Sequence, residues 1–333
     1  MSFARWTAKF KRGRGPESFG AGDIESRLVW ILGSPRSGST WLLKMLGEHE
    51  AVVSINEPLI GAYLGAFLAD LRGVGMEWFD STNFTLRRFA ADNQNHFFAE
   101  GFRDVWLPWL GELMRQRFLA HALAYPAKAP LSRSRVVIQE PNGSQSADLI
   151  MGALPRSRFI FLLRDGRDVI DSQLAANNPG GWVTQAFPAV QGIGDEQRRE
   201  FLIRSAHKWL WTTEVVQRAF AEHPGPKCLL RYEDLLGDTS NQVRRLLDWL
   251  ELDCDAAQLG SLIERHSFQA IPEQERGAKA FVRAATPGLW RRNLSADEQE
   301  TLQRIIGPKL LELGYADAGP ADSRLGAIIP RRQ

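Results

Sequence analysis

The sequence predicts an α/β fold in which a parallel β-sheet is flanked by helices in three layers, with helical insertions beside it. Two observations carry this expectation. Short apolar runs that stop at glycine, arginine or a polar residue alternate with longer segments of helical spacing, and a glycine frame of phosphate-binding type joins the first run to the first helix.

Leu28–Leu32 is an apolar run ending at Gly33, the pattern of a buried parallel strand feeding a tight turn. A helix follows, because Leu42, Met45, Leu46 and His49 recur at helical spacing. Val136–Gln139 reads as the next strand, followed by a helix from about Ser144 to Ala153. Arg158–Leu163 is a third strand, and its helix begins near Arg167. A long helix over about Asp195 to Ala221, a strand over Lys227–Arg231 and a helix over Asn241–Leu250 complete the alternation. In such a sheet ligands bind beyond the carboxyl ends of the strands.

Two stretches interrupt the pattern: 63–130, rich in Phe and Trp, and 177–194, rich in Gly and Pro. Inserted segments of this kind form the substrate side of a site. The aromatics Phe67, Trp78, Phe79, Phe84, Phe89, Phe97, Phe98, Phe102, Trp106 and Trp109 read first as core, and as a lining for an apolar, phenolic or sugar-ring acceptor second.

At 333 residues the chain can bury a full core without disulfides or metals. We expect a flexible basic arm over 1–25, a single domain over 26–318 and a tail over 319–333. Lys and Arg total 41 against 39 Asp and Glu, so no charge asymmetry calls for nucleic acid or a membrane as the main partner. The arm interleaves Arg5, Lys9, Lys11, Arg12 and Arg14 with Phe3, Trp6 and Phe10; it reads as solvated, with weak contact to a membrane surface or an acidic partner as the alternative. Cys228 and Cys254 form neither a disulfide framework nor a metal-ligand spacing, and no apolar run approaches the roughly 18 residues of a spanning helix. A reducing, cytoplasmic setting without a metal is expected.

Gly33 to Thr40 spells G-x-x-x-x-G-S-T, with Ser39 where a nucleotide triphosphatase has lysine. Its glycines let successive backbone N–H groups face an anion, and the helix starting near Thr40 adds its positive end. Without the lysine the loop is poorly equipped for the β- and γ-phosphates of ATP. Arg36 supplies a planar, permanent cation inside the loop. A second anion site is expected at Arg164 and Ser172, because the turn after the third strand carries the arginine and Ser172 lies one helical step of four beyond Asp168. Two separated phosphate sites do not suit ATP.

Pro35-Arg36-Ser37-Gly38-Ser39-Thr40 resembles the 5'-phosphosulfate loop of the sulfotransferases that use 3'-phosphoadenosine 5'-phosphosulfate (PAPS). Arg164 and Ser172 are similar to that family's 3'-phosphate motif, and Trp41 to the tryptophan that packs on its adenine. Arg231-Tyr232-Glu233-Asp234 resembles a segment whose tyrosine, here Tyr232, lies near the adenine. Phe281-Val282-Arg283 and Gly288-Leu289-Trp290-Arg291 are similar to the late loop over the nucleotide, although Ala284-Ala285 depart from its Lys-Gly and only Arg283 carries over. The resemblance implies donor contacts from Arg36, Ser37, Gly38, Ser39, Thr40, Trp41, Arg164, Ser172, Tyr232 and Arg283. It also implies transfer to an acceptor hydroxyl of a carbohydrate, lipid, phenol or other small molecule.

Transfer of this kind needs a group to take the acceptor's proton. Where cytosolic members have a Lys-Thr-His segment this chain has Gln139-Glu140-Pro141-Asn142, so the histidine is absent. Tyrosylprotein sulfotransferases and similar bacterial proteins instead place a glutamate after the first helix, which implies Glu57 as base, with Arg36 stabilising the transferring group. Glu140, at another strand end, is the rival, and His207 a weaker one. Against this stand a P-loop kinase or triphosphatase and a nucleotide-binding protein without catalysis; the first wants a lysine at Ser39, and the second wants both glutamates turned away.

Overall fold

The computed structural model describes residues 24–63, 94–95, 97–187, 189–273, 276–277, 280 and 285–315. Five strands form one sheet, β1 (Leu28–Leu32), β2 (Val52–Asn56), β3 (Arg135–Gln139), β4 (Arg158–Leu163) and β5 (Lys227–Arg231), in the order β2-β3-β1-β4-β5. Every pairing is parallel. The expected fold class is the one observed.

β1 lies at the centre, hydrogen-bonded to β3 and β4. Its side chains alternate between two cores: Leu28, Trp30 and Leu32 join one cluster, Val29 and Ile31 the other. Burial on both faces explains why the run reads as continuously apolar. The helices Arg103–Ala124, Asp195–Glu222 and Ala296–Glu312 supply the first cluster, through Phe118, Trp209 and Ile306 among others. Ser39–Gly47, Thr239–Trp249 and Ala256–Arg265 supply the second, through Leu42, Leu246 and Leu259. Three layers result.

Edge strand β2 is absent from the sequence reading. It buries Val52, Val53 and Ile55 while Ser54 and Asn56 are exposed, so its apolar signal is diluted. Ile24–Arg27 is helical, and Ile24 and Glu25 are buried inside the span expected to be a flexible arm.

The aromatic insertion behaves differently from the expected core. Phe97, Phe102 and Trp109 are 82%, 52% and 74% exposed, whereas Trp106 is buried with Phe98 against it. In the helix Arg103–Ala124 most buried residues, Met114, Phe118, Leu119 and Ala122, belong to the second half, so aromatics at its start find little to pack on. Phe67, Trp78, Phe79, Phe84 and Phe89 lie outside the described residues.

Candidate functional site

Each of the five strands delivers a candidate residue at or just beyond its carboxyl end: Gly33 and the loop after β1, Glu57 after β2, Glu140 after β3, Arg164 after β4 and Tyr232 after β5. β1, between strands reached in opposite chain directions, is the switch point where such sheets open a crevice. A cavity of about 840 Å³ occupies it.

Tight contacts shape the loop after β1. A Cβ on Gly33 would stand 2.1 Å from the Leu162 carbonyl oxygen, so only glycine lets the chain turn this close to β4. The Gly33 N–H donates to Ser144 Oγ at 2.9 Å, and that hydroxyl donates onward to the Glu140 carbonyl at 2.8 Å. Gly38 has φ 88°, and a Cβ there would meet the Tyr232 ring at 2.6 Å. Tyr232 therefore lies directly against the loop. Arg164 closes the arrangement: its Nη1 donates to the Arg36 carbonyl at 2.7 Å, and its guanidinium carbon stands 4.3 Å from the Tyr232 ring centroid.

The helix Ser39–Gly47 begins at this loop, so its first N–H groups have no partners within the helix and its positive end faces the cavity. Ser37 is buried behind the loop, and its Oγ has no hydrogen-bond partner. The free helical N–H groups fit an anion, whereas Ser37 does not itself line the cavity. Arg36, Gly38, Ser39, Thr40 and Trp41 line the cavity. Trp41 is fixed by a 2.8 Å hydrogen bond from Nε1 to the His266 carbonyl and by an edge contact with Tyr232.

The second expected anion site adjoins the first. Arg36 Nε donates to Ser172 Oγ at 3.0 Å, so the loop arginine reaches the helix Gly166–Asn177 that carries Ser172. Arg164 and Ser172 both line the cavity. The turn bearing Arg164 is held by Glu233, whose Oε1 accepts from the Asp165 N–H at 3.0 Å and whose Oε2 accepts from the Tyr315 hydroxyl at 3.1 Å. Asp168, on the same helix, accepts from the Gly288 N–H at 2.7 Å and thereby fixes the late segment. Burial raises its pKa, opposed by the Gly288 hydrogen bond and by Arg164. Ala285, Thr286 and Leu289 of that segment line the cavity, while Arg283 lies outside the described residues.

The two glutamates differ. Glu57 lines the cavity, and its carboxylate accepts from Asn142 Nδ2 at 2.9 Å and from Gln139 Nε2 at 3.3 Å. One hydrogen bond on each oxygen leaves each a further lone pair. Glu140 is fully buried, does not line the cavity, and accepts the Ile60 N–H at 3.3 Å. The expected rival for the proton thus stands behind the wall that Glu57 lines. Burial pushes its pKa up to about 7; backbone hydrogen bonds oppose this and the Glu57 charge adds to it. His207 also lies outside the wall.

Arg36 and Glu57 share a backbone peculiarity, φ 71° and 47°, in the left-handed region that costs residues with a Cβ on the order of 1 kcal/mol. Their neighbours hold them there: Arg164 binds the Arg36 carbonyl, and the Glu57 N–H donates to the Gln139 carbonyl at 2.9 Å.

Sequence reasoning passed over Lys208, which lines the cavity and directly follows the weighed His207. Phe201, Arg204, Ser205 and Lys208 recur at helical spacing, a signal that reading residues singly misses. No group of three potential metal ligands occurs among the described residues, and none of their helices is long and apolar enough to cross a membrane.

Comparison with known proteins adds the following. Residues 29–256 match the family model described as "Sulfotransferase family". A Caenorhabditis briggsae protein named "Putative protein-tyrosine sulfotransferase" is 22% identical over 293 residues, 87% of this chain and 89% of its own. Among solved structures, a sulfotransferase from Mycobacterium avium shares 17% identity with a TM-score of 0.48, covering 87% of this chain and 77% of its own. A mouse sulfotransferase complexed with PAP shares 10% identity with a TM-score of 0.46, covering 87% of each chain.

Proposed function

Because the chain belongs to the sulfotransferase family, we propose that it transfers the sulfuryl group of PAPS to an acceptor hydroxyl, releasing adenosine 3',5'-bisphosphate. One observation carries the reading: the loop after β1, Arg164 with Ser172 after β4, and the Glu57 carboxylate after β2, from three different strand ends, line one cavity, and the first two are joined by the Arg36–Ser172 hydrogen bond. The loop after β1 takes the 5'-phosphosulfate, Arg164 and Ser172 take the 3'-phosphate, and Trp41 and Tyr232 frame the adenine. A triphosphate chain would use the first site alone.

The acceptor oxygen attacks sulfur in line. As the new O–S bond forms, the bond from sulfur to the phosphate oxygen breaks, and the nucleotide leaves with the electron pair. Arg36 stabilises the charge that spreads over the transferring group and the leaving oxygen. Glu57, held in place by Asn142 and Gln139, takes the acceptor's proton on an oxygen that retains a lone pair. A sulfuryl group carries less negative charge than a phosphoryl group, so these side chains serve without a metal. That Glu57 faces the cavity favours catalysis over mere nucleotide storage.

We place the protein in the cytoplasm, on the strength of its free thiols Cys228 and Cys254. Carbohydrate, lipid, phenolic and other small-molecule hydroxyls are the acceptor classes, and the name of the nematode relative does not by itself select a peptide.

Calorimetric titration with adenosine 3',5'-bisphosphate, against ATP with magnesium, tests the reading. Tight binding of the bisphosphate and weak binding of ATP is expected; the reverse would refute it. Labelled donor with a panel of hydroxyl compounds then tests transfer.

A further inference from the structure

The helix Asp195–Glu222 presents a stripe to the cavity that neither the donor nor the proton transfer uses. Phe201, Arg204, Ser205 and Lys208 all line the cavity, at spacings that place them on one helix face. Arg204 has a carboxylate close by, Glu200 one turn earlier at 3.3 Å. Lys208 has neither an ion pair nor a hydrogen bond among the described residues.

A half-buried ammonium without a counter-ion bears an uncompensated desolvation cost. Burial accordingly pushes the Lys208 pKa down. Its backbone position is fixed, because the helix is packed against Gly166–Asn177, Ala147–Ala153 and Ala296–Glu312. The donor's charges are already met by Arg36, Arg164 and the start of the helix Ser39–Gly47. Arg204 and Lys208 are left over.

Beside the stripe the wall is apolar, formed by Trp182, Val183, Val190 and Ile193. It is continuous with the reacting end, since the Arg36 guanidinium carbon lies 5.7 Å from the Trp182 ring centroid. A molecule placing its hydroxyl near Glu57 and Arg36 would lay its body along Trp182 and Phe201 and bring its far end to the two cations.

We propose that the acceptor is an amphipathic hydroxy compound, with an apolar body against the Trp182–Phe201 wall and an anionic group, carboxylate or phosphate, held by Lys208 and Arg204. The proposal rests on the sulfuryl-transfer reading and adds the substrate class. A neutral compound covers the apolar wall but leaves the ammonium unpaired. An anion forms charge-assisted hydrogen bonds with it.

The test uses 4-hydroxyphenylalkanoates of graded chain length, their uncharged methyl esters and the corresponding phosphate monoesters, with labelled donor and the full-length protein. The anionic compounds are expected to exceed the esters in kcat/KM by about 10- to 100-fold, the range of a charge-assisted hydrogen bond, chiefly through KM. The carboxylate and phosphate series distinguish the two anions. The preference should collapse in Lys208→Ala, survive in Lys208→Arg and invert in Lys208→Glu. An equal fall of kcat on esters and anions in Lys208→Ala would overturn the proposal and assign Lys208 to the transferring group. A wild-type protein that takes esters as readily, or that neither binds nor sulfates any anionic compound at millimolar concentration, would overturn it too. Affinity for adenosine 3',5'-bisphosphate separates the two levels: wild-type binding without anion preference refutes this proposal alone, and absence of binding refutes the reading beneath it.

Discussion

Glu140→Gln tests the sealed carboxyl through stability. Burial moves the Glu140 pKa from 4.5 to about 7. The unfolded chain exposes the group and restores its ordinary value. Between roughly pH 4.5 and 7 the folded protein therefore keeps a proton that the unfolded chain has released. The contribution of this group to stability is complete below the lower value and is lost as pH rises through the higher one. At about 1.4 kcal/mol per pKa unit the loss amounts to about 3 kcal/mol by pH 8. Glutamine keeps a carbonyl acceptor for the Ile60 N–H and stays neutral throughout. Urea unfolding at intervals across this range should show the wild type falling relative to the variant by that amount. Parallel pH curves would refute the reasoning. Turnover of the variant at neutral pH should be of the same order as that of the wild type, because Glu140 does not line the cavity.

Three substitutions probe the cavity itself. Glu57→Gln is expected to lower turnover at least about a hundredfold while leaving bisphosphate affinity nearly intact, and near-normal turnover would remove Glu57 as the base. Arg36→Ala should weaken both donor binding and rate; unchanged calorimetric affinity for the bisphosphate would count against a ground-state contact. Gly38→Ala places a Cβ 2.6 Å from the Tyr232 ring at φ 88°. Thermal unfolding should report a loss of about 1–3 kcal/mol together with weaker nucleotide binding, and a variant indistinguishable from wild type on both would contradict the packing described.

Much of the cavity wall formed by the strand ends is legible in the sequence because local rules govern it. Strands buried on both faces read as apolar runs, and the turns that leave them need glycine where backbones approach, as at Gly33 beside Leu162. Edge strand β2 is harder, since Ser54 and Asn56 face solvent, and Glu57 was reached only through the resemblance. The helices Ala256–Arg265 and Ala296–Glu312 carry capping boxes, Asp255 with Gln258 and Ser295 with Glu298, which were readable signals left unread. Glu140 shows the opposite limit. Its place at a strand end is legible, but whether a strand-end carboxylate enters the cavity or turns back to the main chain depends on Ile60, far away in the sequence, a contact that no local pattern encodes. Lys208 was missed because its significance lies in the charges it does not meet, a property of three-dimensional neighbourhood.

The left-handed backbone at Arg36 and Glu57 bears on how this protein can change over generations. Glycine would relieve the strain at either position, yet it would also delete the side chain proposed to touch the reacting atoms. Relief of strain at these two positions is therefore set against the hydrogen bonds that Arg36 makes to Ser172 and that Glu57 accepts from Asn142 and Gln139, as well as against the proposed chemistry. Gains in robustness must come from elsewhere in the chain.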